Sequence, residues 1–275
     1  DRLASAEYAT SVNYYGTANL QISSALSVPA SGSFNSINLL SGGGLTIAPM
    51  QTLTLSSGGL LLQPGNAGIS GGLLALGSAE LKAYTPTATA TDVSTLASVI
   101  TGTGGLAKAG AGVLALTSQS PLTGQLTVNQ GTLKLLSGAT NTLYVGVGAS
   151  GQATVVNAGG TLDLNGGTQV VGNLSSTGAA LTAGIAGGAI ANSSTNAATF
   201  VSVGASATFY SGTIGGSISL LRSGVTAANT LTLLGANTYT GATIVNGNGL
   251  TLAGDGTLAN TSSVTVNYAS LTLDN

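Results

Sequence analysis

The sequence predicts an all-β chain whose short strands stack coil upon coil as a solenoid, and three observations carry that expectation. The first is an internal repeat, which points to a stacked rather than a globular architecture. One cassette runs Gly104-Gly105-Leu106-Ala107-Lys108-Ala109-Gly110, then Val113-Leu114-Ala115-Leu116, Thr123-Gly124-Gln125-Leu126-Thr127-Val128-Asn129 and Gly131-Thr132-Leu133-Lys134-Leu135. A second runs Ser219-Leu220-Leu221-Arg222-Ser223-Gly224, then Thr230-Leu231-Thr232-Leu233, Gly235 to Gly241, Ile244-Val245-Asn246 and Leu250-Thr251-Leu252. From Leu116 and Leu233 to Leu135 and Leu252 the two keep one offset, 117 residues (233 − 116), without a gap. The second observation is two-residue alternation in runs of three to five, as in Leu53-Thr54-Leu55, which gives each run one apolar face. The third is that no apolar stripe of helical period is sustained anywhere.

Residues 1–32 are the least regular part and read as an irregular or capping segment, with Tyr8, Tyr14 and Tyr15 in weak alternation. From Ser33 onward the strand texture settles in Ile37-Asn38-Leu39, Leu45-Thr46-Ile47 and Leu60-Leu61-Leu62. The glycine clusters Ser41-Gly42-Gly43-Gly44 and Ser56-Ser57-Gly58-Gly59 supply turns between them. Asp92 to Ile100 is the ambiguous place, because Asp92 would cap a short helix. Its β-branched residues favour strand, and strand is expected. After the first cassette the series continues through Leu143-Tyr144-Val145, Ala153 to Val156 and Thr161 to Leu164. Residues 176–199, rich in Ala and Gly, are expected to be loosely packed coils or an excursion.

The cassettes also resemble the autotransporter-associated β-strand repeat, or passenger-associated transport repeat. The first copy matches the opening half of that pattern, and Gly235-Ala236-Asn237-Thr238-Tyr239-Thr240-Gly241 matches its closing half. Each copy departs somewhere: Ser120-Pro121-Leu122 replaces Asn-x-Tyr in the first, and in the second Arg222 stands for the lysine and Thr226-Ala227-Ala228 look inserted. The resemblance covers about a quarter of the chain. It implies a right-handed parallel β-helix in a secreted or surface-exposed passenger, a C-terminal outer-membrane β-barrel translocator as partner, and a role for the repeats in export. Neither end of the chain carries a recognisable boundary, so a fragment of a longer passenger is expected.

Composition narrows the function classes. Only 4% of the 275 residues are charged, against about 25% in ordinary soluble domains. Net charge is −2 with no basic cluster, which argues against nucleic acid as a partner. Ala179 to Ala191 is apolar but shorter than the about 20 residues of a membrane-spanning helix. With no histidine and no cysteine, nucleophilic triads and thiolate or imidazole metal sites are excluded. Paired carboxylates remain thinkable, but nothing in the spacing of Asp163, Asp255 and Asp274 holds two of them together. Gly146 to Gly151 fits G-x-G-x-x-G, yet β-prone residues follow where a dinucleotide site needs a helix. Gly254-Asp255-Gly256 is a single copy of what a calcium turn repeats. No catalytic residue, cofactor site or metal site is therefore assigned, and the chain is not expected to be an enzyme.

What remains is adhesive or structural. Asparagine follows valine at 128–129, 156–157, 245–246 and 266–267, where its amide either bonds to the equivalent amide one coil away or forms an isolated turn. The eight tyrosines, among them Tyr84, Tyr210, Tyr239 and Tyr268, either gather on one outer side or cover coil edges singly; the latter is favoured. Leu114, Leu116, Leu126, Val128, Leu133 and Leu135 should point inward, with Leu231, Leu233, Ile244, Val245 or its neighbour, Leu250 and Leu252. At roughly 20 residues per coil the chain would make about 13 coils, a rod on the order of 60 Å long. The favoured function is a non-catalytic passenger stalk or adhesin, partnered by glycans, host or matrix proteins, or other copies of itself. A self-assembling extracellular fibre and a polysaccharide-active β-helix enzyme are the alternatives.

Overall fold

The computed structural model describes residues 7–12, 16–87, 92–136, 138, 140–143, 151–178, 186–224 and 229–274. Its regular elements are all β-strands, and every strand pairs in parallel with the equivalent strand of the turn before or after it. The result is a parallel β-helix of about eleven turns whose strands lie on three faces, with isolated bridges at Leu122 and Leu143 continuing the third face where no strand forms. On the first face Leu81–Tyr84, Leu106–Ala109, Leu126–Val128 and Thr154–Val156 follow one another in register. The second face carries Val93–Leu96, Val113–Leu116, Gly131–Leu135 and Gly160–Asp163. The third carries Thr168–Val171, Ala198–Ser202, Ile218–Ser223, Thr243–Asn246 and Val264–Asn267.

Turns are longer and more uneven than 20 residues, which is why the chain makes about eleven rather than 13. A turn takes 17 residues from Asn19 to Ser36 but 31 from Val170 to Val201, because the corners carry loops of different length. The rod is correspondingly shorter, about 50 Å at 4.8 Å per turn. Within residues 1–32 strands already stack, with Tyr8 beside Asn19 and Leu20 beside Ile37. The ambiguous stretch at 92–100 is strand, Val93–Leu96 followed by Val99–Thr101.

Strand alternation places one row of side chains inside, and the inner rows of all three faces form one apolar core from Leu20 to Leu252. Leu114, Leu116, Leu126, Val128, Leu133, Leu135, Leu231, Leu233, Val245, Leu250 and Leu252 all lie in it. Ile244 does not: Thr243 and Val245 point inward and Ile244 lies half-buried outside. The physical reason is that Thr243 is the residue 117 after Leu126, and inside the core its hydroxyl bonds the Tyr239 hydroxyl at 2.6 Å. Of residues 176–199, the part 179–185 lies outside the described residues; Ile190 and Ala198 in the remainder are core.

Equivalent residues of the two cassettes point inward in both but lie on different faces of their turns. Leu114 and Leu116 lie on the second face and their counterparts Leu231 and Leu233 on the first. Leu126 and Val128 lie on the first, whereas Thr243 and Val245 lie on the third. An offset of 117 residues is thus four whole turns and two-thirds of another. Tight corners inside the first cassette need glycine. Gly110 (φ +77°) and Gly131 (φ +68°) are left-handed, and a Cβ at Gly131 would run into the carbonyls of Gly110 and Gly112 one turn below.

Candidate functional site

Two basic side chains stand inside the core, one in each cassette. Period-two alternation makes Lys108 point the same way as Leu106, and it is fully buried. In register it sits between Ala83 below and Val128 above. Its ammonium reaches the corner and donates to the carbonyls of Ala109 (3.0 Å), Gly110 (2.7 Å) and Gln130 (3.0 Å), the last belonging to the next turn. Arg222 repeats the arrangement on the third face, between Ser202 below and Val245 above. Its guanidinium donates to the carbonyls of Ser202 (3.2 Å), Gly204 (3.2 Å) and Asn229 (2.5 Å) and, at 3.4 Å, to that of Gly249. Each cation therefore joins the corner of its own turn to a neighbouring one. A small residue beneath it leaves room for the long side chain.

Neither cation has a carboxylate partner among the described residues, and Lys134 with Asp163, at 3.7 Å, is the ion pair among them. Burial pulls Lys108 down to about 8 and Arg222 down to about 10. Carbonyl acceptors make the charged forms tenable, since a buried charge without hydrogen bonds is prohibitive. In the repeat pattern Lys108 and Arg222 stand only as positions of the cassette, with no role attached. The signal was present in Leu106-Ala107-Lys108 and Leu220-Leu221-Arg222, where alternation alone sends the basic residue inward.

The acidic residues and motifs set aside in the sequence are dispersed. Asp163 is buried and serves the fold, accepting from the Asn165 and Ser193 amides (both 3.0 Å) and from the Ser193 hydroxyl (2.6 Å). Asp255 lies at an exposed turn and Asp274 at the end of the last strand. Gly146 to Ser150, Tyr14, Tyr15, Tyr144 and Thr226 to Ala228 lie outside the described residues. The asparagine ladder forms between Asn157 and Asn129, amide to amide at 2.8 Å, and continues as Asn157 Oδ1 accepts from the Thr177 amide. Asn246 and Asn267 are in register.

Among the described tyrosines, two do not cover coil edges. Tyr210 and Tyr239 are buried in the core, Tyr210 donating to the Gly188 carbonyl at 2.9 Å and Tyr239 bonded to Thr243. A hydroxyl partner inside is what allows a tyrosine to be buried. Desolvation raises both hydroxyls, Tyr239 to about 12. Tyr8 and Tyr84, in contrast, line a shallow groove of about 1030 Å³ on the outside of the first face, together with Asn19, Asn38, Gln63 and Lys82.

The passenger-associated-transport-repeat family matches residues 106–135 and 228–247. These two segments are thus similar to passenger-associated transport repeats. The first match contains Lys108 and its corner; the second begins after Arg222. The chain is also similar to the adhesin BmaC autotransporter of Brucella suis biovar 1 (strain 1330), 36% identical over 110 residues. That alignment covers 38% of this chain and 3% of the relative, so the chain spans a small part of the curated relative's length. No solved structure matches the chain. Repeats and relative together support an autotransporter passenger with a β-helical fold and indicate a cell-surface or extracellular location at the outer membrane.

Proposed function

We propose that this chain is a non-catalytic, adhesin-like segment of a surface-displayed passenger, in which the two cassettes assist folding and export. The whole protein would pair with a C-terminal outer-membrane translocator, as its autotransporter relation implies. The observation that carries the role of the cassettes is the buried cation in each. Lys108 and Arg222 bind carbonyls of two or more successive turns, so a cassette turn is fastened to its neighbour by charge-assisted hydrogen bonds as well as by its strand ladder. Stacking is a nearest-neighbour process, so a turn fastened in this way templates the next turn to emerge. Contacts with other molecules then fall on outer side chains of turns outside the cassettes.

The register supplies a clean test. Leu106 stands beside Leu126, so excising Leu106–Gln125 removes one whole turn and leaves every downstream strand on its own face. Excising Gly59–Leu81 does the same outside the cassettes, because Gly59 stands beside Lys82. In the full-length protein the first excision should lower surface display and leave protease-sensitive chain, while the second should not. Normal display of the first variant with loss of adhesion alone would reverse the assignment and make the cassette the binding surface.

A further inference from the structure

We propose that the groove between Tyr8 and Tyr84 binds a neutral oligosaccharide, a ligand class for the adhesive outer surface that rests on the passenger reading above. The outward side chains of the first face form two rows along the axis. One runs Tyr8, Asn19, Ser36, Gly59, Lys82, and the other passes through Asn38 and Leu61 to Tyr84. Gly59, having no side chain, opens a notch in the first row. The two tyrosines stand four turns apart, about 19 Å at 4.8 Å per turn, at opposite ends of the groove. Tyr84 is 47% exposed.

Asn38 is the second, independent observation. It points outward, between inward Ile37 and Leu39, yet is 1% exposed, and neither its amide nitrogen nor its amide oxygen has a partner in the structure. The neighbouring amide of Asn19 is engaged, its oxygen accepting from Asn35 (2.8 Å) and Ser36 (2.7 Å). A buried amide left unpaired is costly and calls for a partner that both donates and accepts. A sugar hydroxyl does both, and the C–H face of a pyranose ring suits an exposed tyrosine ring. Among the described residues lining the groove Lys82 is the one that is charged, too little for a polyanion. An added peptide strand is also disfavoured, because the backbone groups of this face are already paired along the axis.

The test puts the full-length protein, on cells and extracted from the envelope, on an array of neutral gluco-, manno- and galacto-oligosaccharides beside sulfated and sialylated ones. The expected result is retention on a neutral class that falls about tenfold in Tyr84→Ala and in Tyr8→Ala and is unchanged in Tyr268→Ala at the far end of the rod. Asn38→Leu separates binding from folding, since an apolar side chain of similar size removes both unpaired atoms. It should melt no lower than the parent and yet lose retention. No neutral binding, a preference for sulfated probes, or neutral binding indifferent to these variants would overturn the proposal. Protease accessibility on intact cells reports the passenger reading separately. A protein that is displayed and adhesive but blank on the array sinks the groove alone, and one that never reaches the surface sinks the passenger reading while the extracted protein still decides the groove.

Discussion

A lysine inside a column of leucines and valines is tolerable only while its hydrogen bonds are complete. Lys108→Met keeps the length of the side chain but removes the donor to Ala109, Gly110 and Gln130, and should cost about 2 kcal/mol or more of unfolding free energy. Denaturant titration measures it, and a variant as stable as the parent would show that the ammonium is dispensable. The pH dependence follows from the same burial. With Lys108 near 8 in the folded chain and about 10.5 unfolded, the unfolded chain binds the extra proton between those values. The stability gap between parent and Lys108→Met should therefore widen as pH rises from about 8 to about 10.5. Tyr239 acts oppositely: raised to about 12, it contributes stability below pH 10 that is lost as pH rises toward 12, and Tyr239→Phe should lack that loss. Legibility at this scale was uneven. Alternation sends the leucines and the two cations inward, but the acceptors that let Lys108, Arg222 and Tyr210 be buried come in part from other turns and, like the Thr243 partner of Tyr239, are not legible in the local sequence.

Single strands here are too short to be stable alone, so each element is worth what its neighbours above and below make of it. Leu133 lies between Leu114 and Leu162 on the second face and is fully buried. Leu133→Asp would place an unpaired carboxylate in that column and should cost several kcal/mol, enough to remove cooperative melting of the turns around it. If the variant melted like the parent, the column would not be the core. At the corners the amide of Asn157 ties two turns, bonding Asn129 and the Thr177 amide. Asn157→Ala should cost less, about 1 kcal/mol, because these bonds are exposed. Strand positions were legible in the sequence because alternation and glycine clusters are local signals. Register was legible only within the repeat, and Ile244 shows the limit. Ile244 and Val245 are adjacent and both apolar, so only the offset to Leu126 and Val128, or the structure, tells which faces inward.

At the scale of the rod, the three-faced stack converts chain length into angle. Turn length was not readable from the sequence, because a corner loop can lengthen without disturbing the strands on either side, as the 17-residue and 31-residue turns show. The repeat offset therefore says how alike two turns are and not which faces they share. This predicts a sharp contrast between two excisions from the first cassette. Removing Leu106–Gln125 sets Leu126 onto Leu81 and Val128 onto Ala83, keeping every face aligned. Removing the whole matched segment 106–135 deletes a turn and part of another, so that strands of the third face would arrive where the first should be. In the purified chain the first variant should unfold cooperatively with a denaturant dependence reduced by roughly one turn in eleven, since that dependence scales with the surface exposed. The second should lose the stack on one side of the joint and expose it to protease. Circular dichroism of the parent and the first variant should show β structure with helix below about a fifth, as no helical stripe is present to supply more. Equal loss of cooperativity in both variants would mean that the cassette itself, rather than the alignment of faces, holds the two halves of the rod together.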